Sequence, residues 1–151
     1  MIDEASIISS VLLEAFVEYE PLYTAEAFAA TTPTAEHIRN RWDEGPVWVA
    51  LLAGQIVGTI AAVRRDQALY LRSMAIQPTA RGSGLGRLLL ERAENLAVRQ
   101  ACKRMYLSTT PFLYRAIRLY EQFGFVRTAE GPHELYGTRI FTMEKFITSE
   151  T

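Results

Sequence analysis

The chain has 151 residues, of which 49% are hydrophobic and 22% are charged. This length predicts a single domain over residues 1–151, and this composition excludes disordered, collagen-like and coiled-coil proteins. The 16 basic residues nearly balance the 17 acidic ones and leave a net charge of −1. That balance argues against a dedicated nucleic-acid-binding protein, because such domains are usually basic.

Cysteine content and the N-terminal residues bear on location. Cys102 is the sole cysteine of the sequence, so no disulfide forms within the chain, which suits a reducing compartment. The start of the sequence lacks the basic region of a signal peptide, and no apolar run reaches the ~20 residues of a membrane span. We therefore expect a cytoplasmic protein, no membrane or nucleic-acid partner, and a packing role for Cys102. No spacing of His, Cys and acidic residues predicts a metal site.

Two helices are predicted before the first strand. Apolar residues at positions 8, 11, 12, 15, 16 and 19 follow the spacing of one helix face and predict a helix over 6–20, which Pro21 interrupts. A second helix is predicted over 34–44, with Thr34 as its N-cap and Gly45-Pro46 as its end.

Three strands and a helix follow. Residues 47–52 and 55–63 are separated by Ala53-Gly54 and predict a hairpin, and a third strand is expected over 69–76. After a glycine-rich turn comes a long helix and then a strand over 104–109, so strands 69–76 and 104–109 should be parallel with a right-handed crossover. The expected buried stripe of the helix is Leu85, Leu88, Leu89, Ala93, Leu96 and Ala97.

The C-terminal part predicts one more helix and two strands. Pro111 suits the first position of a helix capped by Thr109 or Thr110, and Gly124 suits its end after Phe123. Strands are expected at about 125–129 and 138–146. Together the elements predict one mixed sheet with helices on both faces.

The turn from Arg81 to Gly86 lies between a predicted strand and a predicted helix. Glycines allow backbone N–H groups to approach a ligand closely, and the free N–H groups of a helix start attract anions. Arg81 and Arg87 would add positive charge. The dinucleotide pattern G-x-G-x-x-G fails because its third glycine position is Arg87, and no P-loop is present. A turn without any ligand stays the alternative at this point.

Two motifs resemble those of the GNAT superfamily of N-acetyltransferases. The first reads Arg81-x-x-Gly84-x-Gly86, and the second, about 30 residues later, reads Ala116-x-x-Leu119-Tyr120-x-x-x-Gly124-Phe125. The resemblance implies the α/β (α+β) fold of that family: a mixed, mostly antiparallel sheet with a central splayed pair of parallel strands and helices on both faces. It also implies direct acetyl transfer from acetyl-CoA to an amine, with CoA as the second product.

The resemblance also implies site residues. In this family the pyrophosphate of acetyl-CoA lies on the N–H groups of the glycine turn, and the pantetheine arm pairs with the splayed strand. The implied cofactor-binding residues are Met74, Ala75, Ile76, Arg81, Gly82, Ser83, Gly84, Leu85, Gly86, Arg87, Thr109 and Leu113. Tyr120 matches the tyrosine that protonates the departing thiolate. Its place in an apolar stripe by itself favours a core residue, whereas the motif match favours the catalytic role.

The sequence departs from the family pattern at two places. Many members carry an asparagine where this chain has Leu113, so its contact must be lost or supplied by Thr109 or Thr110. Members also begin with a strand, and here a helix comes almost at once. The general base is unassigned; the residues expected on the acceptor side are Glu18, Glu20, Tyr23, His37, His133, Glu134 and Tyr136.

Other functions remain open from the sequence alone. A non-catalytic CoA-binding module and a phosphate- or nucleotide-binding adaptor would both use the glycine turn, although the adaptor leaves the tyrosine motif without a purpose. The acceptor amine, of a small molecule or a protein, is not specified, because one fold serves many substrates. A homodimer formed through the last strands is a further prediction.

Overall fold

The computed structural model describes residues 3–148. Its first half begins with helices: α1 spans Glu4–Phe16, a 3-10 segment spans Val17–Leu22, α2 spans Ala25–Thr31 and α3 spans Ala35–Asn40. The two later helices are α4, Leu85–Arg99, and α5, Tyr114–Phe123. No helix in this part of the chain is long and apolar enough to cross a membrane.

Six of the eight strands form one sheet in the order β1-β2-β3-β4-β8-β5. Their bounds are β1 Val47–Leu52, β2 Gln55–Arg65, β3 Ala68–Ile76, β4 Arg104–Thr109, β5 Val126–Thr128 and β8 Phe141–Phe146. A separate short hairpin joins β6 Glu134–Leu135 to β7 Thr138–Arg139. The predicted hairpin at Ala53-Gly54 is confirmed, and the predicted last strand 138–146 is divided into β7 and β8.

Strands β3 and β4 form the predicted parallel pair, and they separate after a short stretch. Three residue pairs join them, from Ala68↔Arg104 to Tyr70↔Tyr106, and all other neighbouring strands of the sheet are antiparallel. Beyond Tyr70 the two strands diverge, so the remainder of β3 has no partner on its β4 side among the described residues. The expected fold class, including the splayed central pair, is confirmed.

A β-bulge lies in β3 where the strands diverge. Thr59 of β2 pairs with Ala75 and Ala61 pairs with Arg72, so one β2 residue faces two residues of β3. Ser73 takes a positive φ of 54° in this bulge, a conformation that L-residues adopt at a cost of order 1–3 kcal/mol. The extra residue reverses the alternation of side chains. Leu71 and Met74 consequently contact the same core, whereas Ala75 faces the opposite one.

Helices cover both faces of the sheet, as predicted. On one face α1 and α3 bury Ile8, Val11, Leu12 and Ile38 against the sheet. On the other, α4 and α5 cover a larger core that includes Cys102, which confirms its packing role. Within α4 the predicted stripe needs correction: Leu89, Ala93 and Ala97 are buried, Leu85 and Leu96 are partly buried, and Leu90 takes the place of Leu88, which is 58% exposed.

The predicted helix boundaries differ from the structure at three places. The first helix ends at Phe16 and tightens to a 3-10 segment containing Pro21, whose ring and missing N–H prevent α-helical continuation. Helix α2 was not predicted, although Thr24 caps it by accepting a hydrogen bond from the Ala27 N–H. The third helix is confirmed with Thr34 as its N-cap, but it ends at Asn40.

The start of α5 was also predicted wrongly. The N–H of Leu113 donates to the Thr110 carbonyl, which forms a turn through Pro111, and the helix begins only at Tyr114. Thr109 and Thr110 are buried at the end of β4 and do not cap it. The end of the helix is as expected, with Gly124 in the left-handed region at φ 109°.

Candidate functional site

A cleft of about 450 Å³ opens where β3 and β4 separate. The end of β3, the glycine turn and α5 form its walls, and we refer to it as the glycine-turn cleft. It brings together eleven of the twelve predicted cofactor-binding residues and Tyr120: Met74, Ala75, Ile76, Arg81, Gly82, Ser83, Gly84, Leu85, Gly86, Arg87 and Leu113. Thr109 is the exception. Ala15, Phe16 and Tyr19 complete the wall, and no motif in the sequence indicated them.

The glycines of the turn have two different roles. Gly82 and Gly84 both adopt φ of 82°, and a Cβ at either would meet no atom within 4 Å, so glycine is required for the backbone conformation. A Cβ at Gly86 would lie 2.7 Å from the Leu119 Cδ2 atom, so this glycine lets α4 pack closely against α5. Gly84 caps α4 without any side-chain oxygen, which leaves the first N–H groups of the helix for an anion.

The two arginines of the turn are engaged by the protein. The Arg81 guanidinium forms an ion pair with Glu18 at 2.7 Å and donates to the Ala15 carbonyl at 3.1 Å. It therefore fastens the end of α1 to the turn, whereas the sequence had suggested a contact with phosphate. Arg87 pairs with Glu91 at 3.1 Å on an exposed helix face, and such i,i+4 pairs are worth only about 0.3–0.5 kcal/mol. Arg87 can leave this pair at little cost.

The unpaired edge of β3 offers backbone groups to the cleft. Residues Met74 to Ile76 lie beyond the last contact with β4, and on their other side β2 pairs with Ala75 and Ile76. An extended ligand lying between β3 and β4 could therefore pair with β3 as an added strand. This geometry is the physical basis for the predicted involvement of Met74 and Ile76.

Tyr120 of α5 is 7% exposed and its ring lies 5.9 Å from that of Phe125. Burial raises the pKa of its hydroxyl, and the nearby Tyr23 raises this pKa further. The phenol is therefore protonated throughout the neutral range. Tyr120 is part of the core, as its apolar stripe indicated, and its side chain also lines the cleft, so the two interpretations of the sequence are compatible.

A second cavity of about 350 Å³ adjoins the glycine-turn cleft. Four residues belong to the walls of both: Phe16, Met74, Leu113 and Tyr120. Thr109 lines this second cavity instead of the cleft, together with Thr110 and Ser108 of the same strand end. Pro132, Leu135 and Ile140 close it from the C-terminal loop.

Of the residues expected on the acceptor side, Tyr23 alone lines the second cavity. Burial raises the pKa of its hydroxyl, while the neighbouring Thr110 and Thr31 hydroxyls partly oppose that change. Glu18 is paired with Arg81, and the other five residues are exposed side chains outside both walls: Glu20, His37, His133, Glu134 and Tyr136. The described lining of the second cavity contains no carboxylate and no imidazole.

Three arginines line the second cavity, and the sequence did not identify them as site residues: Arg41, Arg65 and Arg72. They come from the turn after α3, the end of β2 and the middle of β3. No sequence motif connects them, because only the pairing of β2 with β3 and the packing of α3 bring them together. Within residues 3–148 no group of His, Cys, Asp and Glu could hold a metal ion.

The C-terminal loop is held over the second cavity by α2. The Thr24 hydroxyl donates to the Tyr136 carbonyl at 2.7 Å, and the Thr24 N–H donates to Thr138 Oγ1 at 2.9 Å. The cap of α2 thus also fixes the β6–β7 hairpin. This contact accounts for the position of Leu135 and Ile140 in the cavity wall.

Solved structures of acetyltransferases share this fold. The PaiA N-acetyltransferase of Thermoplasma acidophilum, solved in complex with coenzyme A, superposes with a TM-score of 0.79 at 18% identity, covering 95% of this chain and 92% of that one. The ribosomal-protein-S18-alanine N-acetyltransferase of Escherichia coli gives 0.70 at 15% identity, covering 99% and 93%. At these identities the likeness concerns the fold.

Curated relatives match about half of the chain. N-acetylaspartate synthetase of Danio rerio is 38% identical over 85 residues, which are 55% of this chain and 30% of the relative. The uncharacterized N-acetyltransferase YjgM of Escherichia coli K12 is 39% identical over 82 residues, 52% and 49% respectively. The chain spans less than half the length of these curated relatives.

The family model described as "Acetyltransferase (GNAT) family" matches residues 12–125. This range contains both sequence motifs, the splayed strands, the glycine turn and Tyr120. The chain therefore belongs to the GNAT family of acetyltransferases.

Proposed function

We propose that this protein is an acetyl-CoA-dependent N-acetyltransferase that transfers the acetyl group directly to a primary amine. The cofactor occupies the glycine-turn cleft and the acceptor occupies the second cavity. The observation that carries the proposal is the shared wall: Met74 and Tyr120 line both cavities. A thioester and an amine approaching from the two sides would meet at these residues, which is the arrangement that direct transfer requires.

The cleft fits acetyl-CoA in three respects. The backbone N–H groups from Gly82 to Arg87 would bind an anion at the start of α4, and this anion site suits the pyrophosphate. The free edge of β3 at Met74 and Ile76 suits the amides of the pantetheine arm. Leu113 lines the cleft as an apolar contact, at the position where the resemblance to the family implies an asparagine. Thr109 and Thr110 face the second cavity, so neither residue replaces that amide in the cleft.

Acetyl-CoA supplies an activated acetyl thioester, and the chain's residues assist the transfer to nitrogen. An N–H of β3 near Met74 stabilises the oxyanion that develops as the amine nitrogen bonds to the carbonyl carbon. Tyr120 donates its phenolic proton to the sulfur as the carbon–sulfur bond breaks. The proton that the amine loses returns the phenol to its starting state by way of solvent. The amide and the free thiol are the products.

The pH dependence of kcat/KM should follow the pKa of the acceptor amine. Since the described lining of the second cavity holds no carboxylate or imidazole, the amine must arrive neutral. We expect log kcat/KM to rise with pH up to the acceptor's own pKa, about 8 for a peptide α-amine and about 10.4 for a lysine-type amine. The raised pKa of Tyr120 keeps its proton in place, so no decline is expected below about pH 10. Profiles for one acceptor of each kind provide the measurement. Identical profiles with a common inflection near neutrality would instead reveal an enzymic base.

Ligand-dependent thermal unfolding tests the cofactor assignment. A ligand present at 100 times its Kd adds about 2.7 kcal/mol of stability, which raises Tm by roughly 2–8 °C for a domain of this size. Acetyl-CoA and CoA should produce this rise, whereas ATP and NAD at matched concentration should not. A response to ATP or NAD and none to CoA would favour the nucleotide-binding adaptor.

A non-catalytic CoA-binding module is the second candidate, because no carboxylate or imidazole is found among the cavity-lining residues of the described range 3–148. Both candidates predict binding of CoA. Release of free thiol from acetyl-CoA across a panel of amines distinguishes them: acceptor-dependent release supports the transferase, and its absence with intact CoA binding supports the module.

The acceptor, the compartment and the assembly complete the proposal. The similar proteins are named for different amines, namely aspartate in one and an alanine of a ribosomal protein in another. We propose a cytoplasmic protein in which residues 1–151 form one catalytic domain.

The edge strand β5 offers one route to a homodimer. Its exposed Val126 is the position at which a charged substitution should prevent association, and size-exclusion chromatography measures this.

A further inference from the structure

The second cavity has a strongly cationic wall. Arg41, Arg65 and Arg72 line it, and no acidic residue in the described part of the chain does. The nearest carboxylate identified by its contacts is Glu44, which lies outside the lining and pairs with Arg72 at 2.5 Å. Three guanidinium groups and one carboxylate leave two positive charges uncompensated at this site.

Arg72 is only partly satisfied by its ion pair. Glu44 accepts from the Nη2 atom, while the Nε atom is buried without a hydrogen-bond partner. A buried donor without a partner is costly, and a guanidinium presents Nε and Nη groups as a fork that matches a carboxylate. Thr110 Oγ1 is also buried and has no hydrogen-bond partner at normal geometry. The Tyr23 hydroxyl lies near it, close enough for Thr110 to affect the pKa of Tyr23. Both atoms belong to residues of the cavity wall.

Arg41 and Arg65 take part in no ion pair within residues 3–148. Burial and the positive charge of Arg72 lower the pKa of Arg41, while Glu44 and Tyr70 partly oppose that change. The fold therefore holds two like charges close together, with Glu44 as the carboxylate that faces all three arginines. Arg65 stacks on the ring of Tyr70 with its Cζ atom 4.3 Å from the ring centre. Like charges gathered in a partly enclosed space favour an anionic ligand.

We infer that the acceptor is a small amino dicarboxylate, whose carboxylates are bound by Arg41, Arg65 and Arg72 while its amine points to Met74 and Tyr120. This inference rests on the proposed function, because it assigns the second cavity to the acceptor. The two uncompensated positive charges match two carboxylates. Arg72 and Met74 are only two residues apart and both line the second cavity, so the carboxylates must lie within a few bonds of the amine.

Binding of a non-reactive probe tests the inference independently of turnover. Succinate carries two carboxylates and no amine, and succinamide is its uncharged counterpart. With CoA present and ionic strength held constant, we expect succinate to raise Tm and succinamide to leave it unchanged. The Arg41→Gln variant should lose the succinate effect and keep the CoA effect. Arg92→Gln, at an exposed position of α4, is the matched control and should retain both effects.

Kinetics with paired acceptors provide the second measurement. Aspartate and glutamate should be acetylated with higher kcat/KM than their diamides. Arg41→Gln should lower kcat/KM for aspartate by roughly 10- to 150-fold, the value of a charge-assisted hydrogen bond, chiefly through KM. It should leave the KM for acetyl-CoA and the rate with aspartic diamide within about twofold. Arg72→Gln should likewise lower kcat/KM for aspartate and leave the KM for acetyl-CoA unchanged. Agreement between the two variants would show that the loss does not come from a structural change at Arg41 alone.

The two proposals fail in different ways. If CoA does not stabilise the protein, the proposed function is wrong whatever succinate does. If CoA stabilises it but succinate and succinamide act alike, or if aspartate is acetylated equally well by the parent protein and by Arg41→Gln, the acceptor is not an amino dicarboxylate. Acetyl transfer itself would then stand.

Discussion

Replacing Tyr120 by Phe should lower kcat by roughly 100-fold or more, because general acid catalysis contributes about 10²- to 10⁴-fold. The hydroxyl is the only group removed, and the ring keeps its contacts with Phe125 and the α5 core. Without the acid, the thiolate must leave unprotonated. Steady-state kinetics with a fixed acceptor should therefore show a loss in kcat with little change in the KM for acetyl-CoA.

Tyr114→Phe is the matched control for this experiment. Tyr114 lies on the same helix, is 61% exposed and lines neither cavity. Both variants should unfold at nearly the parent temperature and bind CoA with similar affinity. If Tyr120→Phe turns over at the parent rate, the assignment of Tyr120 as the acid is wrong. Packing in the core would then be the whole role of Tyr120 in this chain.

Replacing Gly84 by Val should weaken acetyl-CoA binding by about 100-fold, which corresponds to the loss of one or two charge-assisted hydrogen bonds. Gly84 has φ of 82° and faces open space in the cleft. A branched side chain there would stand between the ligand and the N–H groups at the start of α4. It also strains the backbone, since β-branched residues rarely adopt positive φ. Isothermal titration with CoA measures the affinity.

Gly54→Val separates these two effects. Gly54 lies in the β1–β2 turn with φ of 79°, and a Cβ there also meets no atom within 4 Å. Its substitution should cause a similar loss of stability, of order 1–2 kcal/mol, with CoA affinity unchanged. If Gly84→Val binds CoA as tightly as Gly54→Val, the pyrophosphate does not lie on this turn.

Much of the site follows from local sequence. The glycine turn, the helix after it and the tyrosine motif are each encoded within one short continuous segment, where chain stereochemistry and i,i+3 and i,i+4 spacing dominate. The parallel relation of β3 and β4 follows from the intervening helix. The structure accordingly brings together eleven of the twelve predicted cofactor-binding residues with Tyr120.

Other features depended on contacts between residues far apart in the sequence. Arg81 binds Glu18 of the 3-10 segment, a partner that the turn itself does not specify. Thr109 faces the second cavity because β4 ends there and Pro111 starts a turn in place of a helix. The bulge at Ser73 depends on how β3 registers with β2, and it decides which core Met74 contacts.

The glycine turn and the two motifs could be predicted from local sequence, because each depends on short-range stereochemistry. The family and the splayed strand pair were then implied by the resemblance of those motifs. The lining of the second cavity, in contrast, could not be predicted from local sequence. Arg41, Arg65 and Arg72 lie on three different elements, and no periodicity relates them. Their convergence depends on strand register and helix packing, which are set by the whole core. In the function that we propose, acceptor choice is therefore a property of the assembled fold.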